Sequence, residues 1–338
     1  MKTLLIASVT LAAMSGAGAA QEVTLRVQHF LSADAPIQKG VLEPWKKAVE
    51  EQSGGRIDVQ IYPSMQLGGK PPQLFDQARD GVVDVAWTLL GYTPGRFPAS
   101  EAFELPFMSG TATETTMALQ EYQTKYMGDE LKDVKPLLIH APAAYKFHTK
   151  GKPIQSMADL KGLKIRAPSR TMTDGLNALG ATAVGMPVPE VPQALTTGVI
   201  DGAVIPWEVF GSLRIENVTQ DHTEFGTENG GLSTSVMALV MNKAKYDNLP
   251  DDLKKVIDDN SGAALAALAG EAFDKAEAAE RQKAVDAGHN IVVIPEDRLG
   301  EWQQASQPVI DAWVKSMGEN GQAMLDDAKA MLAGARGK

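Results

Sequence analysis

The sequence predicts an α/β fold. Strand-length apolar runs alternate with helical patterns near the start of the chain, in the order strand–helix–strand–helix–strand that parallel βαβ units require. At 338 residues the chain is long enough to bury a large core, and it does so with no cysteine.

Val23, Leu25 and Val27 alternate along residues 22–29 and mark the first strand. After a loop at 30–36, Val41, Leu42, Trp45, Ala48 and Val49 fall at helical spacing, with Pro44 either kinking that helix or marking its first turn. Gly54 and Gly55 stop it, and residues 56–62 form the second strand. Leu67-Gly68-Gly69 turns into a helix over 71–79, and 82–89 is the third strand, with Asp84 as its polar entry. Further on, the stretch 137–148 is rich in aromatics and reads as a crossing segment, while the short runs 163–167, 183–186 and 201–206 and the apolar run 233–242 read as strands. Pro250 opens a helix whose Leu253, Val256 and Ile257 share a face. Residues 263–287 are rich in good helix formers, but Gly262 and Gly270 interrupt them, leaving one helix or two. A brief strand at 291–294 precedes a helical stretch at 296–332, with a break expected at Pro308.

Composition narrows the function. With 42 acidic against 32 basic residues and a net charge of −10, the chain is a poor partner for nucleic acid or anionic lipid. A single local arginine can still bind an anion, since distant charge is screened. Without cysteine there is no disulfide, thiolate nucleophile or thiolate metal site. Lys2, the apolar run 4–14 and Ala17-Gly18-Ala19 have the order of a cleavable export leader ending near residue 20. That run is too short to span a bilayer, which takes about 20 apolar residues, and no other stretch is long enough for direct membrane insertion.

The most specific stretch is 156–207, SMADLKGLKIRAPSRTMTDGLNALGATAVGMPVPEVPQALTTGVIDGAVIPW. A short strand delivers Arg166 at its carboxyl end. A helix, Gly180-Ala181, a Met186-Pro187 step, Glu190, Ala194-Leu195 and Gly198-Val199-Ile200-Asp201-Gly202 follow. This stretch resembles the core signature of the DctP-like solute-binding proteins of TRAP transporters. The resemblance covers essentially the whole chain after the leader and is tightest over 159–202.

The resemblance implies two lobes of central mixed sheets, joined by lobe-crossing strands and long C-terminal helices. Residues 21–140 would form mainly one lobe, with a return over 233–250 and part of the C-terminal helices. Residues 141–232 would form mainly the other, and 250–338 a helical region packing on both. It implies a periplasmic receptor, by default a monomer, that takes a small organic acid between its lobes and hands it to the TRAP membrane permease. Arg166 is the match to the family's carboxylate clamp, and a guanidinium suits that role because it offers two parallel donors. Lys146 stands where many relatives carry a second arginine, and a lysine lacks the fork. Trp87 and Tyr92 lie at the carboxyl end of the third strand, the end where open α/β sheets bind ligands, and His29 lies at the same end of the first. Phe147 is a candidate pocket wall, and Trp207 ends the IDGAV run.

Val188 and the run 203–207 place apolar residues where hydroxyl-binding relatives carry polar or aromatic ones. An unmatched ligand hydroxyl there would cost about 1–3 kcal/mol. A compact monocarboxylate, whether an aromatic, keto or hydroxy acid, is therefore expected over a sugar acid. No cofactor and no metal are called for. The histidines lack ligand spacing, and GxSxG, HExxH, P-loop and GxGxxG motifs are absent. A sensor subunit binding the same ligand and an exported α/β enzyme remain alternatives at this level.

Overall fold

The computed structural model describes residues 21–226 and 231–336. The leader expected at 1–20 lies outside the described residues.

Among the described residues, eleven strands form two mixed sheets. The first sheet contains β1 (Val23–His29), β2 (Ile57–Tyr62), β3 (Val85–Leu89), β4 (Val134–His140) and β10 (Met237–Asn242), in the order β2-β1-β3-β10-β4. The second contains β5 (Lys146–Thr149), β6 (Lys164–Ala167), β7 (Thr182–Gly185), β8 (Gly202–Ile205), β9 (Asp221–Phe225) and β11 (Asn290–Ile294), in the order β11-β9-β5-β8-β6-β7.

The βαβ units near the amino end are parallel, as the element order requires: β1 pairs with both β2 and β3 in that sense. β10 enters antiparallel between β3 and β4. All five residues of β3 and all six of β10 are buried, which fits central strands covered on both faces. The chain passes from one sheet to the other between β4 and β5 and returns between β9 and β10.

Helices tie the sheets together. Pro44 sits in the first turn of the helix Glu43–Gln52, preceded by wide turns over Ile37–Leu42, so it begins that helix and does not kink it. Residues Ala263–Asp286 are one helix of 24 residues. It packs against Ala112–Tyr126 and β4 on one side and against the turn Trp207–Val209 on the other. Gly270 does not break it. A Cβ there would lie 2.7 Å from the Thr113 Cα, so the glycine is a contact point between two helices. Pro308 does not break its helix either. Leu299–Ser316 runs through it on a buried stripe of Trp302, Val309 and Trp313, and the interruption falls at Gly318–Asn320. Leu299–Ser316 packs on Arg170–Ala178, and Gly321–Arg336 returns to Ala112–Tyr126.

Two apolar clusters follow from the alternation of side chains across the second sheet. Phe147, Ile165, Ala167 and Val204 pack with Trp302 on one face. Ala203 and Ile205, on the opposite parity, join the large cluster that extends through the first sheet. Among the described residues no helix is long and apolar enough to cross a membrane.

Candidate ligand-binding cleft

Parity aims Arg166. Its strand neighbours Ile165 and Ala167 face the Trp302 cluster, so the guanidinium projects from the other side of β6, toward the first sheet. There it is 1% exposed. Its Nε donates to the Met186 carbonyl at 3.0 Å and its Nη1 to the Val204 carbonyl at 3.2 Å. Its Nη2 is buried and has no hydrogen-bond partner among the described residues. Among the described residues no carboxylate forms an ion pair with it. A buried, always-charged group without a counter-ion is costly unless something anionic completes it.

Arg166 lines a cavity with about 380 Å³ of unfilled space, its mouth included. The walls come from the ends of strands of both sheets: Trp87 and Leu89 from β3, Met237 from β10 and Ile205 from β8. Phe30 stacks on Trp87 with ring centroids 4.8 Å apart and lies 5.5 Å from the Tyr92 ring. The Trp87 indole N–H is satisfied away from the aromatic stack, donating to His140 Nε2 at 2.9 Å. Burial pushes His140 down to about 3, so it stays neutral and available as that acceptor. The Tyr92 hydroxyl accepts the Val188 N–H at 2.8 Å, and the Tyr145 hydroxyl donates to Ser235 Oγ at 2.6 Å. Burial raises both phenols above their ordinary value while the nearby Arg166 charge works the other way, so both remain protonated. The cleft is therefore an aromatic slot with one cation.

Three of the residues singled out in the sequence line this cavity: Arg166, Trp87 and Tyr92. The others stand elsewhere. Phe147 has the wrong parity for a cavity wall. It packs on Phe225 and Trp302 on the far side of the second sheet. Trp207 is fully buried, its N–H donating to Glu224 Oε1 at 2.8 Å, and it packs against His148, His222 and Phe210. Lys146 pairs with Glu277 of the long helix, so its charge is already matched. His29 is buried behind Trp87, with Nε2 3.0 Å from Gln38 Oε1, and burial lowers it to about 4.

Phe30, Tyr145 and Glu208 also line the cavity and were not singled out. Each adjoins a residue that was, at the same strand end: Phe30 beside His29, Tyr145 beside Lys146, Glu208 beside Trp207.

The family model for bacterial extracellular solute-binding protein, family 7 (DctP), matches residues 27–316. The chain belongs to this family. A marine-metagenome TRAP solute-binding protein specific for aromatic acid ligands, from an unidentified microbe and solved with metahydroxyphenylacetate, is 47% identical and superposes with a TM-score of 0.90, covering 93% of this chain and 99% of its own. A TRAP solute-binding protein of Rhodoferax ferrireducens, solved with copurified benzoate, is 43% identical with a TM-score of 0.90, covering 92% of this chain and 98% of its own. Among relatives known by sequence, the outer membrane transporter protein TsaT of Comamonas testosteroni is 28% identical over 333 residues, 96% of each chain. At these identities and coverages the two-lobed TRAP solute-binding fold applies to the whole described chain.

Proposed function

We propose that this TRAP solute-binding protein captures an aromatic monocarboxylate between its lobes and delivers it to the membrane permease of its transporter. The observation that carries the reading is the buried guanidinium of Arg166, whose Nη2 lacks a partner in a cavity otherwise walled largely by aromatic and aliphatic side chains. A carboxylate supplies the missing acceptor and the missing charge together. A flat ring fits a slot built from Phe30, Trp87 and Tyr92, where stacking adds about 0.5–1.5 kcal/mol per aromatic pair. The two structural relatives described above hold metahydroxyphenylacetate and benzoate, which supports the same class here.

In this reading Arg166 clamps the carboxylate, and Trp87 and Tyr92 grip the ring. Lys146, Trp207, His29 and Phe147 support those walls from behind. The lobes divide near residue 140 and again near 233, and closure between them presents the form the permease accepts. The protein works in the periplasm as a monomer after removal of residues 1–20, and it binds without catalysing.

Thermal unfolding of the mature protein against benzoates, phenylacetates, short keto and hydroxy acids, C4 dicarboxylates and sugar acids tests this. A ligand at 1,000 times its Kd adds about 4 kcal/mol of stability. The expected result is a shift confined to the aromatic acids. A shift confined to dicarboxylates or sugar acids overturns the reading.

A further inference from the structure

We propose that Glu208 is a second polar anchor in the cleft, accepting a hydrogen bond from a hydroxyl carried by the bound arene carboxylate. The inference rests on the aromatic-acid reading above.

Glu208 follows Trp207 in the turn Trp207–Val209 and lines the same cavity as Arg166. It is 3% exposed. Lys146 and Glu277 are its charged neighbours on the side of the long helix. Glu277, on the long helix, accepts Lys146 Nζ on Oε1 and the Glu208 N–H on Oε2 at 2.9 Å. Burial, and then the Glu277 charge, both raise Glu208 above the usual carboxyl range.

Oε2 of Glu208 is buried without a hydrogen-bond partner among the described residues. The cavity wall thus carries one orphaned donor, Arg166 Nη2, and one orphaned acceptor, Glu208 Oε2, among mostly apolar neighbours. A benzoate-like ligand satisfies the first and leaves the second unmet. A ligand with both a carboxylate and a hydroxyl satisfies both. Glu208 also lines an outer recess with Asp34 and Lys39, so it stands on the partition between the inner cavity and the cleft surface. That position would let it meet a hydroxyl of a ligand held by the guanidinium clamp.

The test is calorimetry of the purified protein with benzoate, the three hydroxybenzoates and their methyl ethers. In the wild type, at least one hydroxybenzoate should bind roughly tenfold tighter than benzoate, and its ether, which cannot donate, should lose that advantage. Glu208→Leu should bring the ratio of the two affinities close to one, while Glu208→Gln, which keeps an amide oxygen, should retain part of it. The proposal is overturned if no hydroxybenzoate surpasses benzoate, if the ether keeps the advantage, or if the ratio survives in Glu208→Leu. Should Glu208→Leu fail to fold, the ether series on the wild type decides alone. Failure of benzoate and every hydroxybenzoate to bind would instead remove the aromatic-acid reading itself.

Discussion

The backbone N–H of Val188 donates to the phenolic oxygen of Tyr92 at 2.8 Å, joining the loop after β3 of one sheet to the turn after β7 of the other. The bond closes over the cleft beside Arg166. Tyr92→Phe keeps the ring but leaves the Val188 N–H without its acceptor. A net hydrogen bond is worth about 1 kcal/mol, so the variant should release ligand roughly fivefold faster. Stopped-flow fluorescence, with Trp87 as the reporter in the cavity, measures this. An unchanged off-rate would mean the bond does not help hold the closed form on the ligand.

Arg166→Met removes the cation but keeps an unbranched chain. Loss of one partner from a buried charge pair costs about 2–5 kcal/mol of binding, so aromatic acids should no longer shift unfolding. The ligand-free protein should melt no lower than the wild type, because an uncompensated buried charge is gone. A large drop in the ligand-free melting temperature would show that the bonds to the Met186 and Val204 carbonyls dominate instead. Arg166→Lys should not restore binding, since one ammonium lacks the fork and the reach to both carbonyls.

Trp207→Ala separates packing from ligand contact. Truncating a fully buried tryptophan should cost about 3–5 kcal/mol in stability. Affinity for benzoate and for a short hydroxy acid should change by the same factor, because the indole is committed to Glu224 and the His148–His222 cluster. A selective loss of benzoate would return Trp207 to the cavity wall.

Gly270→Val drives a side chain into the backbone of Thr113, where even a Cβ would lie 2.7 Å from the Cα. Overpacking of this kind costs about 1–3 kcal/mol. Urea denaturation should show it, while Gly334→Val, at a helical glycine whose Cβ meets nothing within 4 Å, should cost much less.

Glu104 gives the stability a pH dependence. It is 1% exposed, and burial lifts it from 4.5 to about 7. The folded chain therefore keeps a proton that the unfolded chain releases from pH 4.5 upward. This stability is fully present below about 4.5 and is lost as pH rises through about 7, amounting to about 3 kcal/mol. Glu104→Gln keeps an oxygen for the Val236 N–H, which now donates to Oε1 at 3.2 Å. Between pH 5 and pH 8 the wild type should lose about 3 kcal/mol more than this variant. Equal losses would mean Glu104 is ionised in the fold.

Much of the fold was legible because it rests on apolar pattern. The alternation in β1 and the continuous apolar runs of β3 and β10 announce strands before any pairing is known. β9 was not read, because its Asp221, His222, Thr223 and Glu224 are polar. They are accommodated by specific partners: His222 by His148 and His289, Glu224 by Trp207 and Arg281. The helix Ala112–Tyr126 was also passed over, although Thr111 and Glu114 form the reciprocal cap that marks such a start. Arg166 was found through its long ordered motif. Tyr145 and Glu208 were not, because a cavity assembled from distant strand ends leaves no local pattern. Phe147 and Trp207 stand off the cavity for a related reason: adjacency in sequence to a strand end does not settle which face a side chain takes.

The place of β10 has a consequence in time. It is the strand between β3 and β4, yet Met237–Asn242 is synthesised long after His140 closes β4. Until it arrives, the middle of the first sheet is an open slot with two apolar edges. A chain that has passed β4 but not reached β10 therefore has much of the material of a lobe but not the lobe: β1, β2 and β3 can pair, while β4 and the outer edge of β3 wait for a late strand. Premature termination between these points should yield an aggregating fragment rather than a smaller binding module.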